Sequence, residues 1–213
     1  PSLDFGSWRS SALMEYGLSR NLTVSLGGAW YESRFGQRWM ATGGLRTGLG
    51  ANALKLDLGY QSSGGKAVQV GLGGKLSGLS YTLTHGEYQG GFTDELRSFT
   101  GDPLRRSTEL NLNTTIKLGG GENGKRLPIF GQLRRVEFAD GRKQTDALLR
   151  ASLPLKGLML SNTLSYASTS TPNFDTTSQL RGNFHLATLS GSRLHLRAAL
   201  AYDILPKIRL AGV

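Results

Sequence analysis

Ala53-Leu-Lys-Leu-Asp-Leu-Gly-Tyr60 alternates apolar and polar residues without a break. A period of two predicts a β-strand with Leu54, Leu56, Leu58 and Tyr60 on one face and Lys55, Asp57, Gly59 and Gln61 on the other. The pattern recurs along the chain. Leu194, Leu196, Ala198, Leu200 and Tyr202 oppose Arg193, His195, Arg197, Ala199, Ala201 and Asp203 in the same way. Soluble sheets also alternate, but here the runs are long and the polar positions carry full charges. A strand tilted by about 45° crosses the hydrocarbon layer in roughly 9 to 11 residues, which is the length of these runs. Long alternating runs divided by turn residues are the signature of a transmembrane barrel with a polar lumen and an apolar exterior.

Working outward, strands are expected at 10–17, 22–31, 39–48, 53–61, 67–76, 79–88, 107–117, 128–138, 144–153, 158–168, 177–187 and 193–203, with a thirteenth starting near Lys207. Short turns fall at Leu18–Asn21, Gly48–Asn52, Ser77-Gly78, Pro154–Gly157 and Leu189–Ser192, rich in the Gly, Asn and Ser that tight hairpins use. Longer loops are expected at Glu32–Arg38, Ser62–Lys66, Gln89–Arg106, Ala139–Lys143 and Thr169–Thr176. This alternation of short and long connections matches barrels whose short turns face the periplasm, and the Leu118–Leu127 connection breaks it. The fold class is therefore all-β: an antiparallel up-and-down transmembrane barrel of about 12 or more strands, spanning 1–213 as one domain.

Composition narrows the function classes. Apolar residues are 38% of the 213, and the 30 glycines leave a soluble sandwich compatible with composition alone. No stretch approaches the roughly 18 consecutive apolar residues of a membrane helix, so a membrane role must rest on strands. The chain has no Cys, which excludes disulfide frameworks and Cys-ligated metals. The net charge of +10 invites a nucleic-acid reading, but the 25 Lys and Arg residues are scattered rather than clustered. Lumen and rim positions account for scattered cations better, and no nucleic-acid partner is expected. Pro1–Gly6 lacks the basic start and apolar core of a secretory leader, so a barrel reading expects a removed leader or an excised stretch.

The polar faces of these strands nominate a pore lining: Arg46, Lys55, Asp57, Gln69, Glu109, Asn111, Arg134, Arg150, Arg181, Asn183, His185, His195 and Arg197. The loop QGGFTDELRSFTGDPLRR (89–106) is the longest and most charged, and either lies exposed on the outer side or folds inward. Folded inward, Asp94, Glu95, Arg97, Arg105 and Arg106 would set a transverse field at a constriction. A hairpin centred near Ser190 places His185 across from His195 and Asn183 across from Arg197. Two imidazoles fall short of the three or four ligands a zinc site needs, so no metal is expected. His85 and Glu87 share a face beside Tyr88 and the long loop, but no nucleophile is spaced to make them catalytic. No enzyme and no cofactor are expected. Trp30, Tyr31, Trp39, Tyr60, Tyr81, Tyr88, Phe138, Tyr166 and Tyr202 fall near strand ends, where an interfacial girdle would lie.

Glu15-Tyr-Gly-Leu-Ser-Arg-Asn-Leu-Thr-Val-Ser-Leu-Gly-Gly28 resembles the hairpin phrase of fimbrial outer-membrane ushers, most closely over Tyr16–Thr23. The resemblance implies a large barrel with a plug domain, passing folded pilus subunits from periplasmic chaperones to the cell surface. Plug-like and chaperone-binding segments are absent from the stretch, and Ile208–Val213 lacks the terminal aromatic that barrel assembly reads. The expectation is a portion of a larger barrel in the bacterial outer membrane, incomplete at both ends. Its expected function is translocation or export, with usher-like secretion of surface-fibre subunits or polymers as the specific form. The expected partners are outer-membrane lipid, lipopolysaccharide, and exported subunits or an anionic polymer. The alternatives are a non-conducting anchor for a surface domain, a diffusion porin, and a soluble carbohydrate-binding sheet protein.

Overall fold

The structure, a computed structural model, describes residues 8–33, 36–93, 102–119, 125–155, 157–188 and 195–212. Among them every regular element is a strand. These are β1 (Arg9–Ser19), β2 (Leu22–Ser33), β3 (Gly36–Leu49), β4 (Asn52–Gln61), β5 (Lys66–Leu76), β6 (Leu79–Gln89), β7 (Leu104–Leu118), β8 (Lys125–Phe138), β9 (Lys143–Leu155), β10 (Leu158–Ser170), β11 (Thr177–Thr188), β12 (Arg197–Leu205) and β13 (Arg209–Gly212). They form one sheet in which each strand lies beside its sequence neighbours, running from β1 to β13. The all-β, antiparallel, up-and-down architecture expected from the alternation is thus present. The chain divides into two compact units, Pro1–Gly74 with Leu83–Thr108 and Val136–Gly141, and Lys75–Thr82 with Glu109–Arg135 and Arg142–Val213.

Several boundaries differ from the sequence expectation. The loop expected over Glu32–Arg38 shrinks to residues 34–35, because β2 and β3 pair down to Ser33 and Gly36. Arg105 and Arg106 belong to β7 rather than to the preceding loop. The last hairpin is not centred near Ser190: the Thr188 amide donates to the Leu196 carbonyl, and β12 begins at Arg197. His185 therefore opposes Ala199 and Asn183 opposes Ala201, so neither His195 nor Arg197 stands where expected. A four-residue change in hairpin length keeps side-chain parity, so the faces survive while the partners change. Two of the expected tight turns take the left-handed backbone they require: Ser77 and Gly78 at φ 46° and 86°, and Gly50 at φ 64°.

In the first unit, the ladders separate two chemistries. Met14, Leu26, Gly43, Leu58 and Val68 line up across β1 to β5 on one face, as do Tyr16, Val24, Leu45, Leu56 and Val70. The opposite face carries Glu15, Ser25, Gly44, Asp57 and Gln69 in one row, and Thr23, Arg46, Lys55 and Gly71 in the next. The apolar face is not covered: Leu58 is 50% exposed and Leu45 43%. Near its loop end, Trp30 pairs with Trp39, whose ring lies 5.8 Å from Tyr60.

The second unit repeats the division. Leu149, Leu164, Gly182 and Tyr202 align across β9 to β12, while Arg150, Thr163, Asn183 and Ala201 align on the other face. A polar amide lies among the leucines of the apolar side. Asn162, flanked on β10 by Leu160 and Leu164 and opposite Phe184, donates through Nδ2 to the Tyr202 hydroxyl at 3.1 Å. That hydroxyl returns a bond to Oδ1 at 3.2 Å. Tyr202 reaches from β12 across β11 because Gly182 leaves the space its ring fills, and a Cβ there would overlap the ring.

Buried hydrophobic residues number only Tyr31, Leu104 and Val136 among those described, so little of the apolar surface finds cover within the sheet. Gly182→Val should therefore displace Tyr202 and strand the Asn162 amide. The expected cost is about 2 kcal/mol, combining overpacking with an unpaired polar group, read as a lower urea midpoint for the refolded chain in detergent.

Candidate functional site

The polar face is the candidate site, and its charges are arranged differently in the two units. In the first, Arg46 Nη1 donates to Glu15 Oε1 at 2.7 Å, and Lys55 Nζ lies 2.6 Å from Asp57 Oδ2. The Asp57 carboxylate packs over Gly44, where a Cβ would come within 2.7 Å of it. Gln69 stands opposite Asp57 in the same row. Each cation nominated here thus sits against its own carboxylate. Side chains on both sides of these pairs are partly exposed, so they fix position more than they add stability.

The same face holds the most buried polar group described. Gln61 is fully buried, donating through Nε2 to the Tyr31 hydroxyl at 2.9 Å and to the Thr93 carbonyl at 3.2 Å. Its Oε1 accepts from the Thr93 amide at 3.3 Å. Phe92 lies over the bare backbone of Gly59, with its ring 6.0 Å from that of Tyr88. A Cβ on Gly65 would come within 2.7 Å of the Phe92 backbone, so glycine is needed for this approach. The first residues of the long loop therefore fold onto the polar face, fastened by Gln61. Asp94, Glu95 and Arg97 lie outside the described residues.

Tyr88 also settles the orientation of its neighbours. Tyr88 and Gly86 share the Phe92 side, and the Tyr88 hydroxyl lies 3.2 Å from Ser107 Oγ. Alternation then puts His85 and Glu87 on β6, with Arg106 and Thr108 on β7, on the opposite, apolar face. There His85 Nδ1 lies 2.8 Å from Thr108 Oγ1 and Nε2 3.3 Å from Glu87 Oε1, while Arg106 Nε donates to that same oxygen. Arg106 is consequently turned away from the polar face rather than placed at a constriction. Arg105 Nη1 donates to Glu137 Oε1 at 3.3 Å. Thr108 and Glu137 were not singled out from the sequence, because only strand pairing reveals what an isolated Thr or Glu faces.

In the second unit Glu109 accepts from Asn111 at 3.0 Å and from Gln132 at 3.4 Å. Arg181 Nε donates to Asp203 Oδ1 at 2.9 Å across β11 and β12. Arg134 borders an open cavity of about 340 Å³ together with Gln132, Asp146, Leu148 and Ser165. Arg150, Asn183 and His185 share this face, as does Arg197 opposite Ala187. His195 precedes β12 and is exposed. Among the described residues no group of three or more His, Cys, Asp or Glu is placed to hold a metal ion.

Tyr16–Thr23, the phrase that resembles the usher hairpin, forms the β1–β2 hairpin with its turn at residues 20–21. No family model matches the chain, and neither the curated proteins nor the solved structures contain a match.

The Gln61 fastening has a direct consequence. Gln61→Leu removes every partner of the Thr93 amide and of the buried Tyr31 hydroxyl given above, each worth about 1 to 3 kcal/mol when left unpaired. Hydrogen exchange at the Thr93 amide should accelerate by about tenfold or more, while the Arg46 and Lys55 rows stay protected.

Proposed function

We propose that the chain is the wall, or part of the wall, of an outer-membrane β-barrel that provides a hydrated path for translocation or export. The observation that carries this is the pairing of an exposed apolar face with a charged polar face along the strands of 9 to 14 residues in β1 to β5 and β9 to β12. In water, exposed residues such as Leu58, Val68 and Leu149 would be an aggregation hazard; against lipid they are the favourable surface. The Trp30, Trp39 and Tyr60 group at one end of that face suits the water–lipid boundary. Asn162 supports the same reading, because its amide nitrogen and oxygen both find a protein partner where water would be absent.

Usher-like secretion of fibre subunits is the specific form suggested by the Glu15–Gly28 phrase alone. A non-conducting anchor is the competing reading, since a polar face filled from within would carry no current. Reconstitution into planar bilayers separates the two: a pore gives discrete current steps, an anchor none. A chain that remains monomeric in aqueous buffer without detergent overturns both membrane readings. Leu149→Lys, at the middle of β9 on the apolar face, should cost about 2 to 4 kcal/mol and sharply reduce insertion into vesicles. Thr23→Lys, on the polar face, should insert as the parent does, and flotation of vesicle-bound protein reads both.

A further inference from the structure

We propose that the polar face of the second unit carries an oxyanion subsite centred on Arg150, a reading that rests on the polar face being the lining of the pore. Two adjacent rows carry it. Arg150, Thr163, Asn183 and Ala201 stand opposite one another across β9 to β12, and Ser152, Ser161, His185 and Ala199 form the row beside them. Directly opposed side chains start about 5 Å apart, and successive residues on one face about 7 Å apart, so the donors converge on one oxyanion-sized patch.

The chemistry of the two rows is one-sided. They present a guanidinium, three hydroxyls, an amide and an imidazole, and they contain no carboxylate. The alanines of β12 add no side chain to crowd the patch. Nearby carboxylates are already engaged: Asp203 is bound by Arg181 at 2.9 Å, and Asp146 accepts from Gln144 at 3.0 Å. Arg150 itself has no ion pair among the described residues, and neither do the hydroxyls of its patch have hydrogen-bond partners there.

The first unit sharpens the contrast. Arg46 and Lys55 occupy comparable mid-strand positions on the polar face, yet each is matched by a carboxylate within 2.7 Å. A cation left unmatched amid neutral donors is what recognition of phosphate, sulfate or carboxylate groups requires, because a guanidinium binds an oxyanion through two parallel bonds and neutral donors complete its shell. The open cavity beside Arg134 adjoins this patch through Leu148 and Ser165, which lie one row away, and gives the remainder of a larger solute room. The ligand class is a solute or polymer bearing such groups.

The test uses the refolded full chain with pyrophosphate as the probe, read in two independent ways. Titration in detergent micelles measures binding, and pyrophosphate block of the bilayer current measures occupancy of the path. Arg150→Gln should weaken pyrophosphate binding about tenfold, since it removes a charge-assisted bidentate contact. Asn183→Asp, which places a carboxylate in the same row, should weaken it at least as much. Arg106→Gln, on the other face, should bind as the parent does. If neither Arg150→Gln nor Asn183→Asp weakens binding, or if Arg106→Gln weakens it equally, the subsite is overturned. Should Arg150→Gln fail to fold, Asn183→Asp decides alone. Current steps with no effect of pyrophosphate would sink the subsite and leave the pore standing. Arg150-dependent binding without current would do the reverse.

Discussion

Backbone pairing between sequence neighbours is the constraint on which the rest of this structure depends. In a single sheet each residue has two places to go, and register alone decides which. A slip of one residue would carry every leucine of β4 to the polar side and bring Lys55 and Asp57 to the apolar side. In a two-layer protein a second sheet or helix would punish such a slip by losing a core. Here the described residues bury only three hydrophobic side chains, so the penalty has to come from elsewhere. In the membrane setting proposed above, lipid on one side and water on the other would supply it, and the ladder of hydrogen bonds would be the element that needs no external partner.

Charge is then distributed by what each row must accomplish. The Arg46–Glu15 and Lys55–Asp57 pairs hold the first unit's polar face nearly neutral, with Gly44 giving Asp57 the space to lie flat. The second unit keeps Arg181 paired and leaves Arg150 open. A chain of +10 overall therefore does not present a uniformly positive surface. Which cations are matched by carboxylates depends on strand pairing, and a global count could not have located them.

Much of the fold was legible because period-two alternation is a local property. Leu54 to Tyr60 and Leu180 to Leu186 assign their own faces whatever their partners are, and those faces agree with the ladders. What alternation cannot supply is the length of a hairpin. Displacement of the β11–β12 turn left the faces intact but replaced the expected His185–His195 pairing with His185–Ala199. Loop ends were equally hard to read. Arg106 looks like loop sequence beside Pro103, yet it lies within β7 and points with His85 and Glu87 to the apolar side. Gln61 was visible only as the last polar residue of a strand, and its burial depends on Thr93, which is remote in sequence.

The Asn162–Tyr202 contact joins strands that are not neighbours, passing over β11 at Gly182. A hairpin ladder checks alignment between two strands at a time, so errors in successive pairs can accumulate unnoticed. This contact compares β10 directly with β12. If β12 slid by one residue, the tyrosine hydroxyl would turn to the opposite face and an amide would be left bare in an apolar setting, where it is costly. The pair therefore works as a check on assembly: it is satisfied only when both intervening registers are correct together, and it gives the C-terminal part of the ladder a cooperativity that its hairpins lack separately.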